Sequence, residues 1–338
     1  MEKLRFSKEG KFRITVISDI HWNYRKKADS SDAALRRRQQ KITAGLEALA
    51  AWSEPDLVFL GGDQCLGADS AAGMQAELER LLMPVLKRGL PWAAVFGEGD
   101  SRKSDALKTE QEVYARIPGC VSTAGPEELP GVGNFCIEIL SSQEDTAACH
   151  LWGLHTLPED DYPRYLHLPE NARPVLPNPL YGGSEQAGGL TPEQVLWYYE
   201  ESERRERKAG KKIPGLMFLH HPLPEFCAPV RNPGECWVWR YLAEEKIGAS
   251  ELNAGMFMAC LQRGDVKGIF CGHDHKNGFD SRYCDMLLCS NGSFGIDLED
   301  VPYALWGGRV IDLAEDGKLT TQYIPVMQLM DREEMVTG

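Results

Sequence analysis

The chain has 338 residues, 43% of them hydrophobic, and a formal net charge of −13. That content can bury one large α/β core or two smaller ones, and no composition break marks a linker between two units. The acidic balance excludes a general grip on nucleic acid or an anionic membrane, and no apolar run approaches the ~20 residues of a membrane span.

Met1 to Lys11 is polar and lacks the apolar core of a signal peptide, so the expected location is cytoplasmic. Ten cysteines are scattered without a CxxC pair. They read as reduced, buried small side chains, with Cys227 and Cys236, which flank a loop, as the one candidate pair. Residues 1–11 read as an extension, 12–326 as one domain and 327–338 as a tail.

Phe12 to Ser18, Asp56 to Leu60 and Pro91 to Phe96 are apolar runs that read as strands buried on both faces. Between them lie two helical patterns, Leu35, Ile42, Leu46 and Leu49, then Met74, Leu78, Leu81, Leu82 and Val85. This alternation predicts a parallel sheet. Further strands are expected at Phe135 to Leu140, Cys149 to Leu154, Gly215 to Leu219 and Val266 to Phe270. Thr191-Pro192-Glu193-Gln194 opens a helix with a capping box, a buried stripe of Val195, Leu196 and Tyr199, and a stop at Gly210. Beyond Cys271, strands at Met286 to Ser290, Arg309 to Leu313 and Thr320 to Pro325 predict a second sheet packed on the first. His155 to Leu190 and Leu223 to Asn253 break the alternation and read as lids or insertions.

Four clusters follow buried strands: Asp19-Ile20-His21, Gly62-Asp63, Gly97-Glu98-Gly99-Asp100 and Gly272-His273-Asp274-His275, with His220 just ahead of the last. They are expected to converge at one edge of a sheet. Residues two apart share a strand face, so Asp19 and His21 point together, as do His273 and His275. Carboxylate and imidazole donors suit divalent Zn, Mn or Fe better than Ca or Mg.

On these motifs, together with Phe218-Leu219-His220-His221-Pro222-Leu223-Pro224-Glu225, the chain resembles the calcineurin-like metallophosphoesterases, in the branch similar to purple acid phosphatases. The resemblance runs from Phe12 to about Ile324. It implies a four-layer α/β/β/α sandwich of two mixed sheets and two divalent ions (Mn, Zn, Fe, Ni or Co). Asp19, His21 and His275 would hold the first ion, Asp63 would bridge, and position 98, His220 and His273 would hold the second. The implied reaction is in-line hydrolysis of a small phosphorylated substrate. His220 and His221 compete for one ligand role, and the motif favours His220.

Where the resembled family carries Gly-Asn-His-Asp, this chain has Gly97-Glu98-Gly99-Asp100. The amide ligand becomes a carboxylate, so Asp19, Asp63 and Glu98 sum to −3 against roughly +4 from two ions, where the family pattern leaves −2. The lost histidine removes an acid–base contribution of about 10² to 10⁴ in rate. Three readings stay open: an esterase for good leaving groups, a substitute acid (His155, His221 or Glu98), or binding of metal and phosphate without turnover. The basic run Arg25 to Lys41 reads as a solvated helix face, with Arg25 nearest His21. Arg231, Trp237 and Arg240 are candidates to grip a substrate, alongside His155. The glycines of Asn291-Gly292-Ser293-Phe294-Gly295 are expected to permit a tight turn.

Overall fold

The structure is a computed structural model, and it describes residues 3–27, 29–68, 70–100, 104–158, 188–231, 237–240, 247–250, 252–296, 298 and 305–330. Strand β1 (Lys11–Ile17) leads through helix α1 (Asp32–Ser53) to β2 (Leu57–Gly61), then through α2 (Ala71–Leu81) and α3 (Met83–Lys87) to β3 (Trp92–Val95). The three strands pair in parallel, as the alternation predicts. The helical pattern from Met74 to Val85 is two helices, with Leu82 between them and Pro84 in the first turn of α3. A proline there has no N–H for a continuing helix and its ring would strike the carbonyl four residues back.

Helix α4 (Ser104–Arg116) precedes β4 (Phe135–Leu140) and β5 (Ala147–Gly153). Leu157 and Gly189 then form an antiparallel bridge, which closes the stem of the predicted first lid, and its residues 159–187 lie outside the described residues. Helix α5 (Pro192–Ala209) begins on the expected capping box: Thr191 N donates to Gln194 Oε1 at 2.9 Å, and Gly210 ends it in the left-handed region. Its buried stripe is Gln194, Tyr198 and Ser202, whereas Leu196, expected inside, is 56% exposed. Gln194, Tyr198 and Ser202 stand four apart on the inward face, and the expected Val195 and Tyr199 flank it, partly buried against the same core. Strand β6 (Gly215–Leu219), the short α6 (Ala228–Arg231), β7 (Trp237–Arg240), α7 (Met256–Arg263), β8 (Val266–Cys271), β9 (Asp280–Tyr283), β10 (Met286–Ser290), β11 (Gly307–Ala314) and β12 (Leu319–Pro325) complete the order. Cys227 is a buried free thiol, and Cys236, its expected partner, lies outside the described residues.

Two mixed sheets result, in the orders β12-β11-β1-β2-β3 and β4-β5-β6-β8-β10-β9-β7. The strands after Cys271 therefore do not make a sheet of their own. β9 and β10 extend the second sheet, while β11 returns to lie antiparallel beside β1 and carries β12 with it. Period-two alternation sorts each inner strand between two cores. Phe12, Ile14 and Val16, Leu57 and Phe59, and Leu216 and Phe218 fill the space between the sheets. There Phe59 stacks on Phe218 with ring centroids 4.0 Å apart. The alternate residues Ile17, Val58 and Leu60 meet α1 to α4, and Met217 and Leu219 meet α5 and α7. Helices outside, sheets inside: the layers are the expected α/β/β/α order. No helix among the described residues is long and apolar enough to cross a membrane.

Candidate metal centre

The clusters do not share one edge of one sheet. The C-terminal ends of β1, β2 and β3 in the first sheet face those of β6 and β8 in the second, and the clusters meet across the gap. Asp19, His21, Asp63, Cys65 and His273 account for five of the eight non-glycine residues with positive φ among the described residues. Such backbone is strained and collects where side chains must be aimed against local preference. Close approach also demands glycine: a Cβ at Gly97 would stand 2.1 Å from Asp63 Oδ1, and one at Gly62, whose φ is +100, would stand 2.2 Å from His220 Nδ1.

Nε2 of His21 and Nε2 of His275 lie 2.9 Å apart, and the latter is 3.5 Å from Asp19 Oδ1. Asp63 Oδ2 is 3.5 Å from His21 Nε2, and its Oδ1 is 3.6 Å from His220 Nε2. Glu98 sits among three imidazoles: Oε2 is 3.0 Å from His220 Nε2 and 3.1 Å from His221 Nε2, and Oε1 is 2.9 Å from His273 Nδ1. Donor atoms of Asp19, His21 and His275 lie within 4.8 Å of one another, as do those of Asp19, Asp63 and His220, of Glu98, His221 and His273, and of His21, Asp63 and Cys65. Both members of the His220–His221 pair thus enter the cluster, His220 toward the Asp19–Asp63 carboxylates and His221 toward Glu98 and His273.

Hydrogen bonds leave the right atoms facing inward. His220 Nδ1 is 2.9 Å from Gly61 O, an acceptor, so Nδ1 carries a proton and Nε2 is the ring atom turned toward the carboxylates. His220 Nε2 and Glu98 Oε2 are both buried and neither makes a well-aligned hydrogen bond. Buried polar atoms are costly without a partner. A ring nitrogen and a carboxylate oxygen turned on one another inside a set of carboxylates and imidazoles make a donor set that fits divalent cations once the proton between them leaves.

The electrostatics point the same way. Burial opposes charge throughout, yet His220, His275 and His21 hold Asp19 down to about 2. Burial and then the charge of Glu98 push Asp63 well above the usual carboxylate range. Burial alone would depress His220 and His273, but Asp63, Glu98 and Asp19 raise the first well above the usual histidine range, and Glu98 raises the second to about 9. Burial takes His221 down to about 4, against the pull of Glu98. Carboxylates this close repel one another, and positive charge among them relieves the repulsion.

His155 is buried, with Nδ1 accepting from Val132 N at 3.3 Å, and it makes no hydrogen bond or ion pair to the cluster among the described residues. Arg231 ends α6 and Arg240 ends β7, and their side chains lie outside the described residues. Several supporting residues had no claim on function from sequence alone. Asp100 accepts from Asp63 N, Cys65 N and Gly97 N at 2.8–2.9 Å, tying the β2 and β3 loops together. Thr156 Oγ1 accepts from His221 N and lies 3.0 Å from its Nδ1. Ser293 Oγ and Gly295 N donate to Asp19 O, so the glycine-rich segment braces the first cluster as well as turning. Asp100, by its place in the third cluster, and Ser293 and Gly295, by the glycine-rich segment they belong to, carried a sequence signal; Thr156 carried none.

The profile of the calcineurin-like phosphoesterase family matches residues 12–277. Two Arabidopsis thaliana proteins, "Probable inactive purple acid phosphatase 14" and "Probable inactive purple acid phosphatase 29", are each 25% identical over 87% of this chain and 73% and 74% of their own lengths. "Phosphatase DCR2" of Saccharomyces cerevisiae is 24% identical over 86% of this chain and 49% of its own. Among solved structures, a dimetal phosphatase from Danio rerio superposes with a TM-score of 0.56 at 13% identity, covering 93% of this chain and 99% of that one, a likeness of fold.

Proposed function

The chain belongs to the calcineurin-like phosphoesterase family, and from that premise we propose that it hydrolyses a small phosphorylated substrate with the help of two divalent ions. The observation that carries this reading is the meeting of Asp19, His21, Asp63, Glu98, His220, His273 and His275 across two sheets, with Nε2 of His220 and Oε2 of Glu98 buried and turned inward. Asp19, His21 and His275 would hold one ion and Glu98, His220 and His273 the other, with Asp63 shared between them. Such ions, of the Mn, Zn, Fe, Ni or Co class, supply Lewis acidity: they neutralise phosphoryl charge and acidify water.

The protein's own groups do the rest. Gly99 N donates to Asp63 Oδ1 at 2.8 Å and Asp100 fixes the Asp63 backbone, so the shared carboxylate cannot swing. His221, oriented by Thr156 and 3.1 Å from Glu98, would handle with Glu98 the proton that the family histidine handles. Substrates with good leaving groups need least from that pair and are expected to be turned over fastest.

A second reading, a metal- and phosphate-binding protein without turnover, draws on one observation: position 99 offers a backbone N–H and no side chain. The relatives named as inactive accord with it. Metal analysis after loading with Mn, Zn, Fe, Ni or Co, with turnover of an activated aryl phosphate and an aryl phosphodiester, separates the two. Two bound ions with turnover support hydrolysis, two bound ions without it support the second reading, and no bound ion refutes both.

A further inference from the structure

The run from Arg25 to Lys41 holds seven basic and two acidic residues in a chain of net charge −13. It folds around a cavity of about 180 Å³, lined among others by Tyr24, Arg25, Lys26, Asp29, Arg37 and Lys41. With Arg38 the lining holds five cationic side chains against one carboxylate. Drug-sized ligands need pockets of about 300–1,000 Å³, so this one suits a small anionic group.

Its charges are arranged against helical preference. Arg37 and Lys41 stand one turn apart on α1, a like-charge spacing that costs an isolated helix about 0.2–0.5 kcal/mol. Neither has an acidic residue three or four positions away on the helix. Arg37 reaches Asp29 only at 3.6 Å, and Lys41 has no ion pair among the described residues. Arg25 is engaged differently, with Asp32 at 2.7 Å and Ser30 O at 2.6 Å. A locally unfavourable arrangement met inside the chain by a single 3.6 Å pair, Arg37 with Asp29, points to a further, external compensation.

The cavity is also built onto the metal centre. Buried Arg38 donates to Ile20 O, His21 O and Ile296 O at 2.7–2.9 Å, which locks α1 against the loop that carries His21. Tyr24 N donates to His21 O at 2.9 Å. Three residues of chain span at most roughly 11 Å, so cavity and cluster are neighbours.

We propose that this cavity binds a phosphoryl-sized oxyanion, and that it seats the second anionic group of a substrate whose scissile phosphoryl lies at the metal centre. The second clause rests on the hydrolase reading above; the first does not. The preferred substrate class is then a compound with two phosphoryl groups.

The test begins with the full chain stripped of metal by chelation, where the acidic cluster repels anions. Inorganic phosphate and pyrophosphate are titrated by calorimetry into the parent and into an Arg37→Ala/Lys41→Ala variant, with thermal unfolding as the check on folding. Saturable binding that weakens with salt in the parent, and is at least about tenfold weaker (about 1.4 kcal/mol) in the variant, supports the site. Absence of saturable binding to the parent, or equal binding to the variant, overturns it. Arg37→Lys should keep most of the affinity where a merely packed side chain would be indifferent to charge. In the metal-loaded protein, the variant should lower kcat/KM for a bis-phosphorylated substrate about tenfold relative to a mono-phosphorylated one. An unchanged ratio overturns the substrate role while leaving oxyanion binding to stand on the first arm. Loss of all turnover in the parent strikes the hydrolase reading instead.

Discussion

Position 99 is the most direct place to perturb the centre, because it stands against Cys65 and both carboxylate oxygens of Asp63. A Cβ built on Gly99 would lie 2.7 Å from Cys65 Sγ and 3.0 and 3.1 Å from the Asp63 oxygens. Carbon in contact with carbon or with the larger sulfur rests at about 3.5–4.0 Å, so the sulfur occupies the room that a side chain at 99 requires. Placing at 99 the histidine that the motif resemblance implies, by Gly99→His alone, should therefore cost about 1–3 kcal/mol of overpacking and displace Asp63, with no gain in turnover. Gly99→Ala isolates the Cβ overlap and should show the lower part of that cost. Cys65 has φ +51, a conformation that glycine adopts freely, so Cys65→Gly vacates the space without new strain. The Gly99→His/Cys65→Gly protein should recover stability and regain about 10²–10⁴ in turnover of a poor-leaving-group phosphate, the contribution of a positioned imidazole. Urea unfolding of all four members of the cycle gives the coupling, expected at about 0.5–3 kcal/mol, and steady-state turnover with alkyl and aryl phosphates gives the chemistry. A Gly99→His protein as stable as its parent, or single and double variants of equal activity, would refute the claim that Cys65 has taken the histidine's place.

Further outcomes can be measured around the same site and away from it. Asp100→Asn replaces an acceptor of three backbone N–H bonds with a group that is half donor, and should destabilise the fold by about 1–3 kcal/mol in urea titration; an unchanged midpoint would remove Asp100 as the clasp between the β2 and β3 loops. Glu98→Gln takes the charge from between three imidazoles and should weaken the less tightly held ion at least about tenfold in chelator competition, whereas unaltered affinity for two ions would take Glu98 out of the ligand set. His150, buried on β5, is lowered from 6.5 to about 4 by burial and by Arg205, with Glu138, Asp265 and Glu201 opposing. The unfolded chain therefore binds the proton first as pH falls: the stability present above pH 6.5 should decline toward pH 4 by about 3 kcal/mol, and His150→Phe should flatten that slope in chemical unfolding followed across pH. Phe218→Ala opens the stack between the sheets and should cost about 3–5 kcal/mol; a loss below 1 kcal/mol would contradict the packing of β2 on β6.

Much of the fold was legible because the inner strands are buried on both faces, so Ile14, Phe59 and Phe218 sit in apolar runs that no amphipathic helix would show. The capping box at Thr191 and the stop at Gly210 were legible for a local reason, since a helix end satisfies its backbone groups with residues three or four away. Helices α4 and α7 and strands β7 and β9 were not anticipated, being short or polar elements whose existence depends on the sheet they cover or extend. Nor could periodicity say that β11 returns to β1 while β10 stays beside β8, because each strand offers the same alternation to any neighbour.

The site divides along the same line. Which residues could ligate is a matter of identity at strand ends, and Asp19, His21, Asp63, Glu98, His220, His273 and His275 were each marked by sequence as candidates that the fold then brings together. How they are held is a matter of distance in space: Asp100 across two loops, Ser293 behind Asp19, Thr156 behind His221, and Cys65 in the room that Gly99 leaves. Those contacts join residues from 34 to 274 positions apart, and a pattern with a period of two or 3.6 residues carries no information at that range. The sequence alone thus determined the chemistry available at the centre; only the tertiary structure decided that Glu98 lies among three imidazoles and that the Cys65 sulfur stands in the space beside Gly99.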